Sequence, residues 1–301
     1  MILFVSLMRL SHGVYCEPMS FGLLFGLLGL IVGSFLNVVI LRHGARSLNG
    51  RSGCMSCGTQ LRWYDMIPVF SWLELGGRCR ACRGRVSVQY PLVEAATGLL
   101  FGLLGFWVGS SSLGLSLPGV ALILIHLCVL AVFVCITTYD ILHTIIPDEW
   151  VYAFAGLAFV SQFLQPFSDE YTLLWFIFAG PVVAAPLFAL WLFSRGRWMG
   201  LGDAKLALGI GWLLGPALGL LAVFGAFVVG AIVSILILLP LPHIAEALYT
   251  LGITSRGKPR GGFTMKSEIP FGPFLILSCI IIWFVSLYGI DTSHVFGLLP
   301  R

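Results

Sequence analysis

Apolar runs of about 20 residues, the length a helix needs to cross a ~30 Å hydrocarbon layer, decide what this chain can fold into. The first is Met19–Leu41, where Ser20, Ser34 and Asn37 are the polar interruptions. Hydrocarbon offers backbone N–H and C=O groups no water, so such runs must form helices. Only 10% of the residues are charged and 58% are hydrophobic, whereas soluble domains carry about 25% charged residues. The fold class is therefore an all-α polytopic membrane protein, with about eight transmembrane helices.

Arg42–Tyr90 is the one long polar segment. It carries eight arginines (Arg42, Arg46, Arg51, Arg62, Arg78, Arg80, Arg83 and Arg85) against Asp65 and Glu74. The excess of basic residues places this loop, between the first and second spans, on the cytoplasmic side. Seven further spans are expected: Pro91–Val108, Pro118–Tyr139, Glu149–Phe163, Tyr171–Phe193, Lys205–Leu214, a longer helix beyond a turn at Gly215-Pro216 that reaches Leu239, and Phe271–Ile290. Arg195, Arg197, Lys205, Arg256, Lys258, Arg260 and Lys266 then fall inside, and Asp169, Glu170 and Asp291 outside. The expected organisation is an N-terminal extension (1–18), a first transmembrane helix (19–41), a cytoplasmic loop (42–90), a membrane-embedded domain (91–290) and a C-terminal tail (291–301). Gly22, Gly26 and Gly29, Gly33 repeat a small-xxx-small spacing suited to close helix packing, and Asn37 can hydrogen-bond across helices.

Ionisable groups beside hydrocarbon are costly, so they are candidates for function. Asp203 sits in Gly200-Leu201-Gly202-Asp203-Ala204-Lys205, between long apolar stretches. Asp140 ends the third span, where a negative charge opposes the helix dipole. Asp203 precedes the sixth, where the dipole favours it. The topology puts both at the cytoplasmic boundary. Two adjacent carboxylates cannot both ionise cheaply, so one keeps a proton, and the pair can serve as general acid and general base. The alternative for either residue alone is an interhelical hydrogen bond or a lysine partner such as Lys205. Asp148 or Thr144 is expected to cap the fourth span.

Cys54-Met55-Ser56-Cys57 and Cys79-Arg80-Ala81-Cys82 form a pair of C-x2-C knuckles. Two such turns suit one tetrahedral ion, here Zn²⁺ in a structural site, because four thiolates leave no open position for water. Gly58 and Gly84 suit the turns. Cys16, Cys128, Cys135 and Cys279 read as small core residues.

Taken together these motifs resemble the type IV prepilin peptidase family, also described as leader peptidase and N-methyltransferase, of the GxGD-type intramembrane aspartic proteases. Gly200 to Leu206 matches its second catalytic motif, and Tyr139-Asp140 with Ile146-Pro147-Asp148 matches the first. Gly33 to Ile40, Trp63 to Pro68, Ser71-Trp72-Leu73 and Tyr90 to Glu94 look like its N-terminal half. The likeness spans roughly residues 20–290, and residues 1–18 look like extra sequence. It implies catalysis by Asp140 and Asp203 in a bacterial inner membrane. The implied reaction is cleavage of prepilins or pseudopilins on the cytoplasmic side. Methylation of the new amine by S-adenosylmethionine would follow, with the cysteine loop serving that second activity. Residues that bind S-adenosylmethionine are not identified. Glu94 is read either as a contact to the substrate amine or as a partner for a loop arginine. Membrane lipid is an expected partner and nucleic acid is not, because the arginines follow membrane topology. A peptidase alone, or a transporter relaying protons through the two aspartates, are the competing readings.

Overall fold

A computed structural model describes residues 18–44, 50–111, 116–164, 170–238 and 270–289. The extension up to residue 17, Cys16, Arg46, Asp169, Arg256, Lys258, Arg260, Lys266, Asp291 and the tail 291–301 lie outside the described residues. Two compact units divide the chain after Ile123. Among the described residues there is no strand, only two isolated bridges, both in the cysteine loop.

The first unit contains α1 (Pro18–Arg42), a 3-10 turn (Trp63–Met66), the short α2 (Phe70–Glu74) and α3 (Gln89–Ser110). Small residues join α1 to α3. A Cβ on Gly29 would stand 2.6 Å from the Thr97 carbonyl oxygen, and one on Gly33 would stand 2.7 Å from Glu94 Cα. Gly105 meets the Phe21 carbonyl from the other helix at 2.5 Å on the same measure. Lipid tails are as apolar as leucine, so van der Waals fit at such small residues is what holds two spans together. Asn37, buried, adds a 3.1 Å hydrogen bond from its Nδ2 to the Tyr90 carbonyl.

α4 (Leu117–His143) passes into the second unit, which continues with α5 (Asp148–Phe163), α6 (Glu170–Ser194), α7 (Leu201–Val233) and α8 (Gly272–Leu287). α7 is interrupted at Gly215, whose φ of +78° and ψ of 174° leave the helical region, and Pro216 has no N–H to continue the ladder. The break expected at Gly215-Pro216 is therefore present. The expected helix start at Lys205 is not: the helix begins at Leu201, after Gly200. A π-helical turn, Ser234–Leu238, follows α7. Trp212 ties three helices together. Its Nε1 donates to the Ile177 carbonyl of α6 at 3.2 Å, and its carbonyl accepts from Gln162 Nε2 of α5 at 2.6 Å. His126 of α4 lies edge-on to Trp283 of α8 at 5.0 Å.

Among the described residues five helical segments are long and apolar enough to cross a membrane: Pro18–Arg42, Gln89–Ser110, Leu117–His143, Leu174–Ser194 and Leu201–Leu236. The other two expected spans form helices of 16 residues each, Asp148–Phe163 and Gly272–Leu287. At 1.5 Å per residue each is about 24 Å long.

Gly29→Leu should force α1 away from α3 and cost about 1–3 kcal/mol. Leu27→Ala, at an exposed position of the same helix, should change stability little. Reversible unfolding in mixed micelles would measure both.

Candidate functional site

The second unit brings three helix ends together. α4 ends in its last turn with Asp140 and His143. The chain leaves it through Thr144, whose φ of +54° is left-handed and whose N–H donates to the Asp140 carbonyl at 2.7 Å. A β-branched residue pays for that conformation, so the turn is held by its surroundings. Thr144 thus closes α4 and does not cap α5, as was expected. Ile146 follows and wedges between the other two helix starts. A Cβ on Gly202 would lie 3.1 Å from Ile146 Cβ, and a Cβ on Gly272 would lie 3.0 Å from Ile146 Cδ1.

Gly272 also touches the first carboxylate. A Cβ there would stand 2.5 Å from Asp140 Oδ2, and the Gly272 backbone N–H faces the same carboxylate. Asp203 lies in the first turn of α7, with the Gly200 N–H facing it. The two aspartates are 3% and 7% exposed, and the charge of Asp140 is felt at Asp203. Asp140 Oδ2 and Asp203 Oδ1 are buried without a hydrogen-bond partner. Polar atoms so placed are normally satisfied, and an exception calls for an explanation.

The nearby acid behaves differently. Asp148 is 57% exposed at its side chain, and both of its oxygens accept from Lys205 Nζ at 2.8 Å. The expected capping role is absent, because α5 is preceded by Pro147 with no side-chain cap. The Lys205 ammonium also lies over the Tyr152 ring, 5.3 Å from its centre. The lysine that follows Asp203 by two positions is therefore committed to Asp148.

Sequence reasoning missed Gly272. The signal was Pro270-Phe271-Gly272-Pro273 at the mouth of the last helix. A proline at the second position of a helix leaves its first N–H free to face outward.

The first unit gathers the four cysteines. The Sγ atoms of Cys54, Cys57, Cys79 and Cys82 all lie within 4.8 Å of one another, with Cys54 and Cys82 at 3.8 Å. Four sulfurs about 2.3 Å from one zinc in a tetrahedron stand about 3.8 Å apart. The donor set thus fits a tetrahedral ion. The two knuckles repeat the same hydrogen bonds 25 positions apart. Cys54 N–H donates to the Thr59 carbonyl at 2.9 Å, as Cys79 N–H does to Gly84 at 2.8 Å. Gly58 N–H donates to the Cys54 carbonyl at 2.9 Å, as Arg83 N–H does to Cys79 at 3.0 Å. Bridges Gly53 to Gln60 and Arg78 to Arg85 close the two turns.

The left-handed position is Gly58 in the first knuckle and Arg83 in the second. Gly84 is required for a different reason: a Cβ there would meet Ser56 Oγ at 3.1 Å and Cys82 Sγ at 3.2 Å. The N–H groups of Cys57 and Ser56 hold the Cys54 thiol below the ordinary range. The Thr59 hydroxyl does so for Cys57, and the N–H groups of Cys82 and Ala81 for Cys79. The Gly84 N–H pulls Cys82 the same way, but the neighbouring thiols outweigh it and push Cys82 up to about 11. A cation at the centre removes that repulsion and favours four thiolates. Of the remaining cysteines that are described, Cys135 and Cys279 are buried and Cys128 is exposed.

Glu94, in α3, accepts the Val69 N–H at 2.7 Å and is also bonded to Ser34. Val69 precedes α2 with a left-handed φ of +61°. A backbone amide, where a loop arginine was one expectation, occupies this carboxylate.

Residues 27–108 match the profile of the bacterial peptidase A24 N-terminal domain, and residues 125–235 match that of the type IV leader peptidase family. A prepilin leader peptidase/N-methyltransferase of Pectobacterium carotovorum subsp. carotovorum is 35% identical over 233 residues, covering 68% of this chain and 80% of that protein. The protein of the same name from Vibrio cholerae is 32% identical, covering 68% and 84%. That from Stutzerimonas stutzeri is 29% identical, covering 91% and 92%. No solved structure matches the chain significantly.

Native protein should carry one zinc per chain by elemental analysis, and Cys79→Ala should lose it. Gly84→Val keeps all four ligands but crowds Cys82, and should weaken zinc retention against a chelator.

Proposed function

The chain belongs to the type IV leader peptidase family, and on that premise we propose that it is a membrane aspartic endopeptidase and N-methyltransferase of the bacterial inner membrane. It cuts the leader from type IV prepilins or type II secretion pseudopilins on the cytoplasmic side. It then methylates the new N-terminal amine with S-adenosylmethionine. The relatives' printed names support both activities. The convergence of Asp140 and Asp203 on one buried cluster, each with an unpartnered oxygen, is the observation that carries the peptidase reading.

Two carboxylates gathered in one cluster would share a proton, because like charges cannot both ionise cheaply. The ionised one takes a proton from water, and the resulting hydroxide attacks the scissile carbonyl carbon. The protonated one gives its proton to the departing amine as the C–N bond breaks. Gly272 N–H and Gly200 N–H face the two carboxylates and hold their orientation.

The four thiolates of Cys54, Cys57, Cys79 and Cys82 would hold a zinc ion with no open coordination position. Its contribution is structural, fixing the loop on which the methyl-transfer activity depends. S-adenosylmethionine, as a methyl-donating substrate, would supply the electrophilic methyl of its sulfonium to the deprotonated amine, with the thioether S-adenosylhomocysteine as the leaving product.

Mass spectrometry of a prepilin incubated with purified protein and S-adenosylmethionine is the test. A product shortened at the leader and heavier by one methyl group is expected, and an intact substrate overturns the reading. Asp140→Asn and Asp203→Asn should each lower cleavage by about 10²–10⁴-fold or more. Gly272→Ala, which sets a methyl group against Asp140, should lower kcat with little change in KM. Asp148→Asn removes a half-exposed ion pair worth about 1 kcal/mol or less and should retain most activity; complete loss would move the catalytic role to Asp148.

A further inference from the structure

The segment from Trp63 to Leu73 has its polarity inside out. Its polar side chains turn toward the protein. Asp65, only 10% exposed, is bonded to Arg80 of the second knuckle at 2.8 Å. Ser71 is buried and its hydroxyl donates to the Ile67 carbonyl at 2.7 Å. Trp72 Nε1 donates to the Val86 carbonyl at 3.2 Å, and its ring packs where a Cβ on Gly77 would lie. The large apolar side chains turn outward. Trp63 is 75% exposed, Phe70 and Leu73 are 62% exposed, and Met66 and Ile67 are exposed with them. Exposed apolar groups of this size, gathered within eleven residues of chain, mark a surface that something covers.

Two features on the page identify the cover. The first is depth. Val69, in the middle of the segment, donates its N–H to Glu94, five residues inside the membrane-crossing helix α3. Five residues of helix are about 7.5 Å, so Phe70 and Leu73 are tied to the mouth of a span. Tyr90, at the same mouth, is bonded through its carbonyl to Asn37 of α1. The second is charge. Arg51, Arg62, Arg78, Arg80, Arg83 and Arg85 are exposed on the same loop, against Asp65 and Glu74. A tryptophan-bearing apolar face flanked by arginines, held at the end of a span, suits the boundary between headgroups and acyl chains.

We propose that the face formed by Trp63, Met66, Ile67, Phe70 and Leu73 inserts into the interfacial layer of an anionic bilayer. It thereby seats the four-cysteine loop on the membrane surface. The Arg80–Asp65 ion pair links the second knuckle to this face, so the loop and its membrane contact form one piece.

The test uses the full chain in nanodiscs of phosphatidylglycerol and phosphatidylethanolamine. A photoreactive benzoylphenylalanine replaces Phe70 or, separately, Leu73. The same group at Leu99, exposed within α3, is the reference for lipid contact. After irradiation, intact mass should show phospholipid adducts at Phe70 and Leu73, as at Leu99. Replacing phosphatidylglycerol by phosphatidylcholine should lower the yield several-fold at Phe70 and Leu73 but not at Leu99. Adducts only to peptide, within the chain, to a second copy or to an added prepilin, would overturn the proposal in favour of a protein-covered face. The absence of phospholipid adducts while Leu99 gives them would also overturn it. Equal yields in the two lipids would overturn its anionic selectivity.

Discussion

Inside hydrocarbon every backbone polar group must find its partner within the chain, and this constraint governs where the protein can assemble polar groups. Helix interiors are occupied by their own hydrogen-bond ladder. Helix ends are not: they leave free N–H and C=O groups and permit glycine, proline and left-handed turns. The carboxylate cluster is built from such ends. Asp140 comes from the last turn of α4, Asp203 from the first turn of α7, and Gly272 from the first residue of α8. Each N-terminus brings a backbone N–H that faces a carboxylate, so the cluster gains donors without placing a polar side chain in the membrane.

Burying two acids is costly, and the packing explains how the cost is met locally. The absence of a side chain at Gly202 and Gly272 lets Ile146 wedge between two helix starts and lets α8 reach Asp140. The left-handed Thr144 turns the chain sharply enough to deliver Ile146. Asp148 shows the contrast. It lies two residues beyond Ile146, yet it is half-exposed and bonded to Lys205. Its pair ties the start of α5 to the start of α7, which fastens the turn containing Ile146 at both sides. One acid is therefore spent on fastening, while the other two keep unpartnered oxygens.

Much of this was legible in the sequence. The apolar runs dictate helices, and Gly215-Pro216 announces the break in α7. The C-x2-C spacing gathers the sulfurs, and the glycine frame singles out Asp203. What escaped depends on contacts between distant segments. Gly272 stands 132 positions after Asp140, and nothing local says that it faces a carboxylate. The Asp148–Lys205 pair escaped for the same reason, and capping was the best local account of Asp148. Gly84 was expected to supply a turn, but the left-handed residue is Arg83, and the need for glycine next to it is set by Cys82 Sγ in space. Periodicity and propensity fix the elements; only the assembled neighbours decide what a particular glycine or acid is for.

The cysteine loop carries this reasoning one step further. Between Ile40 and Val93 the buried apolar side chains among the described residues are Cys79 and Pro91, the latter already in α3. A segment of this length with no hydrophobic core cannot offset its conformational entropy by burial. It does not turn its apolar residues inward as a soluble domain would. Trp63, Phe70 and Leu73 are exposed, Asp65 and Ser71 are turned inward, and the four sulfurs are gathered by two hydrogen-bonded turns that repeat each other. An ion bound by the four thiolates would supply the missing interior at a single point, and metal binding would then become folding energy. With the sulfur cluster in the role of a core, the apolar side chains would be left for the outer face. A loop with this inverted arrangement presents an outer face better suited to a bilayer surface than to water.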